Sequence, residues 1–304
     1  MNHPKPARLT AADFHPEVMK LFDQYVHGAI DRRGFLDGSA RFAAMSGTTA
    51  AGLLAALSPD FAFGQKVPPS DARIRTERVE IASPAGNGKI NALVARPAQA
   101  AGALPVVLVV HENRGLNPHI EDIARRLAVD NFIAVAPDVL TSVGGYPGDE
   151  DKARAAFAQV DAAKAREDFV AAAGYSRTIA GGNGRLGATG FCWGGGIVNF
   201  LATRMPELAA GAPFYGAAAP TADVPKIKAE LLIVFAENDA GINAQWPAYE
   251  TALKAANVRF EAVKYAGTVH GFNNDTTPRY DEKSAQQAWA RTLALFNRTL
   301  RTSA

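Results

Sequence analysis

The feature that most limits the possible folds is a regular alternation of short apolar runs with longer amphipathic segments, which begins near residue 70. Residues 105–110 are continuously apolar, as in a strand buried on both faces, and residues 120–130 then show helical spacing. Further strands are predicted at residues 132–136, 185–189, 209–215, 231–236 and 259–265, and further helices at residues 149–173, 195–204, 244–256 and 282–301. This order predicts an α/β fold with a mainly parallel central sheet and helices on both faces.

The predicted α/β region opens differently from the rest. Residues 76–83 and 89–96 are two strand-like runs separated by a turn-rich segment, which predicts an antiparallel hairpin at the amino-terminal edge of the sheet. No linker-like stretch follows residue 70. We therefore predict an amino-terminal arm over residues 1–69 and a single catalytic domain over residues 70–304.

The composition excludes several classes of protein. The chain has 304 residues, of which 48% are hydrophobic, so it can bury a large core. Its 32 Lys and Arg residues almost balance its 30 Asp and Glu residues, which gives no electrostatic case for nucleic-acid binding and favours a small, largely uncharged ligand. The single cysteine excludes an internal disulfide and a cysteine-based zinc site, and no H-E-x-x-H pattern is present. We expect no metal and no cofactor.

The amino-terminal arm allows two interpretations. Residues 31–37 resemble a twin-arginine export signal, and residues 42–63 are mildly apolar but too polar for a stable membrane span. This pattern favours export to the periplasm, although Asp37 and Arg41 are unusual in such a signal. The alternative is a cytoplasmic protein with an uncleaved arm. This alternative is suggested by an apolar stripe with helical spacing, which could pack on the domain or form a homo-oligomer. The stripe consists of Phe14, Val18, Leu21, Phe22, Tyr25 and Val26.

The only cysteine, Cys192, lies at the centre of the pentapeptide Gly-Phe-Cys-Trp-Gly, between a predicted strand and a predicted helix. Glycines two residues before and after a strained strand-to-helix turn let the two segments approach closely. The apex side chain of such a turn is exposed, and the amino end of the next helix stabilises a thiolate. The pattern therefore indicates a nucleophile. The alternative is a cysteine that simply packs as a small apolar residue.

Polar residues after the later strands supply partners for this thiol. Asp239 and His270 follow Cys192 along the chain, and nucleophile, acid, histidine is the order found in α/β-hydrolases. His270 would take and return the proton, and Asp239 would hold the imidazole in one tautomer. Glu237 remains an alternative acid and His111 an alternative base.

An acyl-transfer site also needs donors for the oxyanion. The backbone amide of Trp193 follows the nucleophile directly, and Asn113 follows the early apolar strand. We predict that these two residues form the oxyanion hole.

These motifs together resemble the dienelactone hydrolase family, over about residues 75–300. The resemblance rests on the cysteine pentapeptide, on residues 111–117 (His-Glu-Asn-Arg-Gly-Leu-Asn), and on the shorter motifs at residues 136–138, 237–239 and 270–272. It implies an α/β-hydrolase fold. It also implies that Glu112 interacts with the resting cysteine and helps to form the thiolate.

The resemblance weakens on the substrate side. Members that hydrolyse dienelactone hold its carboxylate with two arginines, and the corresponding segments here, residues 139–142 and 273–274, contain none. Arg114 and Arg279 could replace them, and Tyr146 and Trp193 could line an apolar pocket. We therefore expect hydrolysis of a small-molecule ester or lactone through a thioester. The alternatives are an acyl transferase and a non-catalytic binding or association module.

Overall fold

The computed structural model describes residues 9–301. The α-helices of this part of the chain are α1 (Pro16–Val26), α2 (Arg32–Met45), α3 (Ala50–Leu57), α4 (Phe61–Gly64), α5 (Pro118–Val129), α6 (Glu150–Phe157), α7 (Ala162–Thr178), α8 (Trp193–Arg204), α9 (Ala240–Asn243), α10 (Trp246–Ala255) and α11 (Glu282–Leu300). The strands are β1 (Ile74–Ser83), β2 (Gly88–Pro97), β3 (Leu104–Val110), β4 (Ile133–Asp138), β5 (Gly182–Phe191), β6 (Leu208–Phe214), β7 (Glu230–Asn238) and β8 (Phe260–Val269).

The eight strands form one mixed sheet with the order β1-β2-β4-β3-β5-β6-β7-β8. The β1–β2 and β2–β4 pairs are antiparallel, and every later pair is parallel. The predicted edge hairpin and mainly parallel sheet are confirmed. Since parallel strands end at the same edge, the residues after β3, β5, β7 and β8 converge there.

The apolar run of β3 explains how the sheet is covered on both faces. Val106, Leu108 and Val110 contribute to one core, with side chains of α7, α8 and α10. Val107 and Val109 alternate into a second core, with side chains of α5 and α11. All five side chains are fully buried, as expected for a central strand without a solvent face.

The single helix predicted over residues 149–173 is wrong. The structure has two helices there, α6 and α7, separated by residues 158–161. Asp161 is the reason, because its side chain accepts hydrogen bonds from the backbone N–H groups of Ala163 and Lys164 and so begins a new helix. Alanine-rich composition hid this cap in the sequence.

The described part of the arm is helical and has its own small core. The predicted stripe contributes to it through the buried side chains of Phe14, Val18, Phe22 and Tyr25. The arm is also tied to the domain: for example, the Asp60 N–H donates to the Thr276 carbonyl over 2.7 Å. Within residues 9–301, no helix combines the length and the apolar character needed to cross a membrane. The first eight residues of the predicted arm lie outside the described residues.

Candidate active site

Cys192 occupies a strained turn between β5 and α8. Its backbone has φ 56° and ψ −117°, a region that costs a non-glycine residue about 1–3 kcal/mol. A Cβ atom on Gly190 would lie 2.3 Å from the Gly194 carbonyl oxygen, and one on Gly194 would lie 2.4 Å from that of Val110. Only glycine fits at these two positions, so the pentapeptide and its turn depend on each other.

Asp239 and His270 meet at the ends of two neighbouring strands. Asp239 directly follows β7, His270 directly follows β8, and the His270 Nδ1–H donates to Asp239 Oδ2 over 2.6 Å. The alternative acid, Glu237, is exposed and accepts from the Gly267 N–H over 2.7 Å, so it fixes a turn. The structure thus brings Asp239, rather than Glu237, to the histidine.

His111, the alternative base, is fully buried beneath the elbow. Its Nε2 accepts from the Val139 N–H over 3.1 Å, and its ring stacks on Trp193 with 5.4 Å between centroids. Burial lowers the pKa of His111, so the ring is neutral. Its position is that of a structural residue that holds the loop after β3.

A second histidine, which sequence reasoning did not assign to the site, reaches the thiol from the arm. His27 follows α1, and its Nε2 lies 3.5 Å from Cys192 Sγ and 3.3 Å from His270 Nε2. Its Nδ1 lies 2.8 Å from the Asp23 carbonyl oxygen and 3.3 Å from Asp23 Oδ1. The only signal in the sequence was this Asp23–His27 pair, which has the i, i+4 spacing of neighbours on one helix face.

Charge within the site favours an ionised thiol. Burial alone would raise the pKa of Cys192, but the positive charge of His270 and a hydrogen bond from His27 lower it to about 6. Burial likewise opposes a charged His270, yet the Cys192 charge and the Asp239 hydrogen bond raise the pKa of His270 to about 9. A thiolate–imidazolium pair is therefore the favoured state near neutral pH.

Glu112 and Asn113 follow β3, as predicted, and lie between the arm and the last loops of the domain. Glu112 Oε2 accepts from Asn274 Nδ2 over 3.0 Å, and the side chain of Asn113 donates to the Val26 carbonyl over 2.8 Å. Among the described residues, the hydrogen-bond partners of the Cys192 thiol are His27 and His270. The contact between Glu112 and the resting cysteine that the resemblance implied is replaced here by a contact with Asn274.

The two candidate arginines differ sharply. Arg114 is buried and satisfied, since it donates to Asn113 Oδ1 over 2.8 Å and to the Val26 carbonyl over 3.1 Å. Arg279 is equally buried, but its Nε and Nη1 have no hydrogen-bond partner within residues 9–301. Its guanidinium carbon lies 3.0 Å from the position of a Cβ on Gly271, directly after His270. Arg279 thus has two unsatisfied N–H donors beside the candidate base, while its guanidinium carbon lies 5.3 Å from the centre of the Phe22 ring.

The predicted aromatic lining is only partly present. Trp193 lines a cavity of about 340 Å³ beside α8, together with Ile197 and Phe200. Tyr146 does not line this cavity, and its hydroxyl donates to Glu150 Oε1 over 2.9 Å. Cys192 does not line the cavity either.

Comparisons with known proteins match two parts of the chain. The model of the "Dienelactone hydrolase family" matches residues 90–300, and a model described as "YqhI-like" matches residues 5–44. A Salmonella typhi protein named "Putative carboxymethylenebutenolidase" is 34% identical over 230 residues, which cover 70% of this chain and 84% of that protein. An Escherichia coli (strain K12) protein named "Putative hydrolase fragment YghX" is 49% identical over 113 residues, covering 37% and 97%.

A solved structure agrees with the sequence comparisons. A "Putative Dienelactone Hydrolase" from Klebsiella pneumoniae is 31% identical to this chain, with a TM-score of 0.64. The match covers 73% of this chain and 98% of that one. The likeness supports the α/β-hydrolase fold for the domain.

Proposed function

Since this chain belongs to the dienelactone hydrolase family and is a hydrolase of that kind, we propose that it cleaves carboxylic esters or lactones through a thioester on Cys192. The observation that carries the proposal is a thiol on a strained elbow, beside a histidine whose Nδ1 is held 2.6 Å from Asp239. A thiol attacks as its thiolate, and the lowered pKa of Cys192 provides that form at neutral pH.

The first half of the reaction forms the acyl-enzyme. The Cys192 thiolate attacks the carbonyl carbon, and the carbonyl electron pair moves onto oxygen. The backbone N–H groups of Trp193 and Asn113 would stabilise that oxyanion. When the intermediate collapses, the C–O bond to the alcohol breaks, and protonated His270 gives its proton to the departing oxygen.

The second half releases the acid. His270, now neutral, takes a proton from water, whose oxygen attacks the thioester carbonyl. The second tetrahedral intermediate expels the Cys192 thiolate, and the imidazolium is restored next to it. Asp239 holds the His270 Nδ1–H and so keeps the His270 Nε2 directed at the reacting atoms.

The two unsatisfied N–H donors of Arg279 indicate the kind of substrate. Leaving buried N–H donors of a cation without partners is costly, so a ligand that supplies acceptors gains binding free energy there. Arg279 lies beside Gly271, next to the proposed base. We infer that the acyl part of the substrate carries a carboxylate or another anionic group.

Esters and lactones of matched size, with and without a carboxylate, test this proposal on wild type and Cys192→Ala. Turnover by wild type that is lost in Cys192→Ala, with unchanged circular dichroism, is the expected result. Full activity in Cys192→Ala refutes the proposed nucleophile. An unreactive Cys192 thiol and no turnover by wild type would instead indicate a non-catalytic binding module. Ester products formed with added alcohols would identify an acyl transferase.

Export to the periplasm through the twin-arginine-like segment is also a proposal, and it is independent of the chemistry. The support is the sequence of residues 31–37. Mass spectrometry of the protein from the cell fractions of its native host would give both the compartment and the mature amino terminus. A full-length cytoplasmic chain would refute it, and light scattering of that chain would test association through the arm.

A further inference from the structure

We propose that His27, Cys192 and His270 form a binding site for one transition-metal ion of the zinc type, which ties the arm to the catalytic thiol. The three side chains come from the end of α1, from the elbow and from the loop after β8. Their ligand atoms all lie within 4.8 Å of one another. This site goes beyond the proposed hydrolase function. The single cysteine had led us to expect no metal, but one cysteine with two histidines supplies three ligands.

Two of the three separations between these atoms match the edges of a zinc tetrahedron, and the third, between His270 Nε2 and Cys192 Sγ, is at most 4.8 Å. With Zn–N bonds of about 2.0–2.1 Å and a Zn–S bond of about 2.3 Å, a tetrahedral ion places two nitrogens about 3.3 Å apart and a nitrogen and sulfur about 3.6 Å apart. The distance between the two Nε2 atoms is 3.3 Å, and that from His27 Nε2 to Cys192 Sγ is 3.5 Å. Both edges fit without moving a side chain.

Both imidazoles are held in the orientation that metal-binding histidines adopt. His270 Nδ1 faces Asp239 Oδ2 at 2.6 Å, and His27 Nδ1 faces the Asp23 carbonyl at 2.8 Å and its carboxylate at 3.3 Å. Once the Nε2 protons are displaced, the proton on each Nδ1 leaves the lone pair of each Nε2 free to bind a metal ion. A carboxylate or carbonyl behind the distal nitrogen is the usual outer shell of a ligating histidine.

Converging lone pairs need a positive charge between them. Two neutral Nε2 atoms 3.3 Å apart, beside a thiolate, repel each other unless a proton or a metal ion is shared. A metal ion satisfies all three atoms at once, whereas one proton joins only two. One thiolate and two imidazoles suit Zn²⁺ or Co²⁺ and not Mg²⁺ or Ca²⁺, which prefer oxygen ligands.

The binding step has a clear consequence for the enzyme. The ion displaces the Nε2 protons of the imidazoles, and the sulfur lone pair used for nucleophilic attack becomes a metal bond. His270 loses its role as base in the same step, because its Nε2 is coordinated. Access from solvent exists through the His27 side chain, which is 33% exposed. The metal-bound form is therefore inactive as a thiol hydrolase and has its arm fixed in place.

Titration of the full-length, metal-free protein with Co²⁺ tests the site, since a thiolate bound to Co²⁺ gives a charge-transfer band in the near ultraviolet. We expect one ion per chain, a thiolate band and the strong visible bands of tetrahedral cobalt. Cys192→Ala should lose the thiolate band. His27→Asn should weaken binding by more than about 100-fold, since even outer-shell changes weaken metal sites by about 10–100-fold. Asp23→Asn should fall within that outer-shell range.

His15→Asn is the matched control, because His15 lies in the same arm but is exposed and contacts Phe42 and the start of α1. It should bind Co²⁺ like wild type. A missing thiolate band, or equal Co²⁺ affinity in His27→Asn and His15→Asn, overturns the proposal and leaves a shared proton between the imidazoles. Because the spectra need no substrate, they stand whether or not the protein hydrolyses esters.

Discussion

The pH dependence of Cys192 alkylation tests the electrostatics of the site directly. The structure lowers the pKa of this thiol from its usual 9.0 to about 6. A change of that size is worth about 4 kcal/mol of preferential stabilisation of the thiolate. At pH 7 about nine-tenths of the thiol is then ionised, against about one-hundredth at the usual pKa.

The rate at one pH would be a poor measure of this effect. Thiolate reactivity falls with pKa, with a Brønsted slope of about 0.4–0.5, so each ionised Cys192 reacts about 20-fold more slowly than an ordinary thiolate. That loss offsets most of the roughly 90-fold gain in thiolate at pH 7. The midpoint of the rate–pH profile is the informative quantity.

The assay is the rate of iodoacetamide labelling between about pH 4 and pH 10, in the presence of a chelator. Cys192 is the only cysteine, so the label reports this side chain alone. We expect a midpoint near pH 6 for wild type and a strongly raised midpoint for His270→Ala, because burial remains when the stabilising charge is removed. Unfolded protein is the reference. A wild-type midpoint at the reference value, or no change in His270→Ala, would refute the assignment of a thiolate–imidazolium pair.

Three further predictions concern the base, the substrate and the elbow. Asp239→Asn should lower ester turnover by at least about 100-fold without unfolding the protein, because His270 loses the group that orients it; a near-normal rate would contradict its role. Arg279→Met should lower kcat/KM for esters with a carboxylate and leave neutral esters of the same size unchanged; an equal loss for both would show that Arg279 only packs. Gly194→Ala should lower the urea midpoint by an amount equivalent to about 1–3 kcal/mol, whereas Gly196→Ala, whose new Cβ would lie 3.5 Å from Ala217, should leave it unchanged or raise it; equal midpoints would contradict the close approach at the elbow.

Most strands of the sheet could be predicted from the sequence, because buried strands have a recognisable pattern of apolar residues. A strand such as β3, buried on both faces, has to be continuously apolar, and such a run could be recognised directly. The elbow was equally clear, since a Cβ atom on Gly190 or Gly194 would lie only 2.3 or 2.4 Å from a backbone carbonyl oxygen, so both positions require glycine. The strand follows from the general packing of parallel sheets, and the elbow follows largely from residues that are close in sequence.

Two features were not predicted, one because a local cap lies within an alanine-rich helical pattern and one because its cause is distant in the sequence. The break at Asp161 depends on one side chain competing for backbone N–H groups within an alanine-rich helix pattern. His27 comes 165 residues before Cys192, and only the folded arm places its Nε2 3.5 Å from the thiol. Its role could not be read from motifs of the domain alone.

Because the arm covers Cys192, the binding of any ligand to the thiol includes the free-energy cost of displacing the arm. Cys192 is only 9% exposed with the arm in place, while α1 is anchored by the ring of Phe22, 5.3 Å from the Arg279 guanidinium. A displacement of α1 by one turn would carry His27 about 5.4 Å away. The apparent affinity of the protein for such a ligand then equals its intrinsic affinity multiplied by the fraction of molecules in which the arm is displaced from the thiol. An ester of low intrinsic affinity would therefore bind more weakly still while the arm covers the thiol.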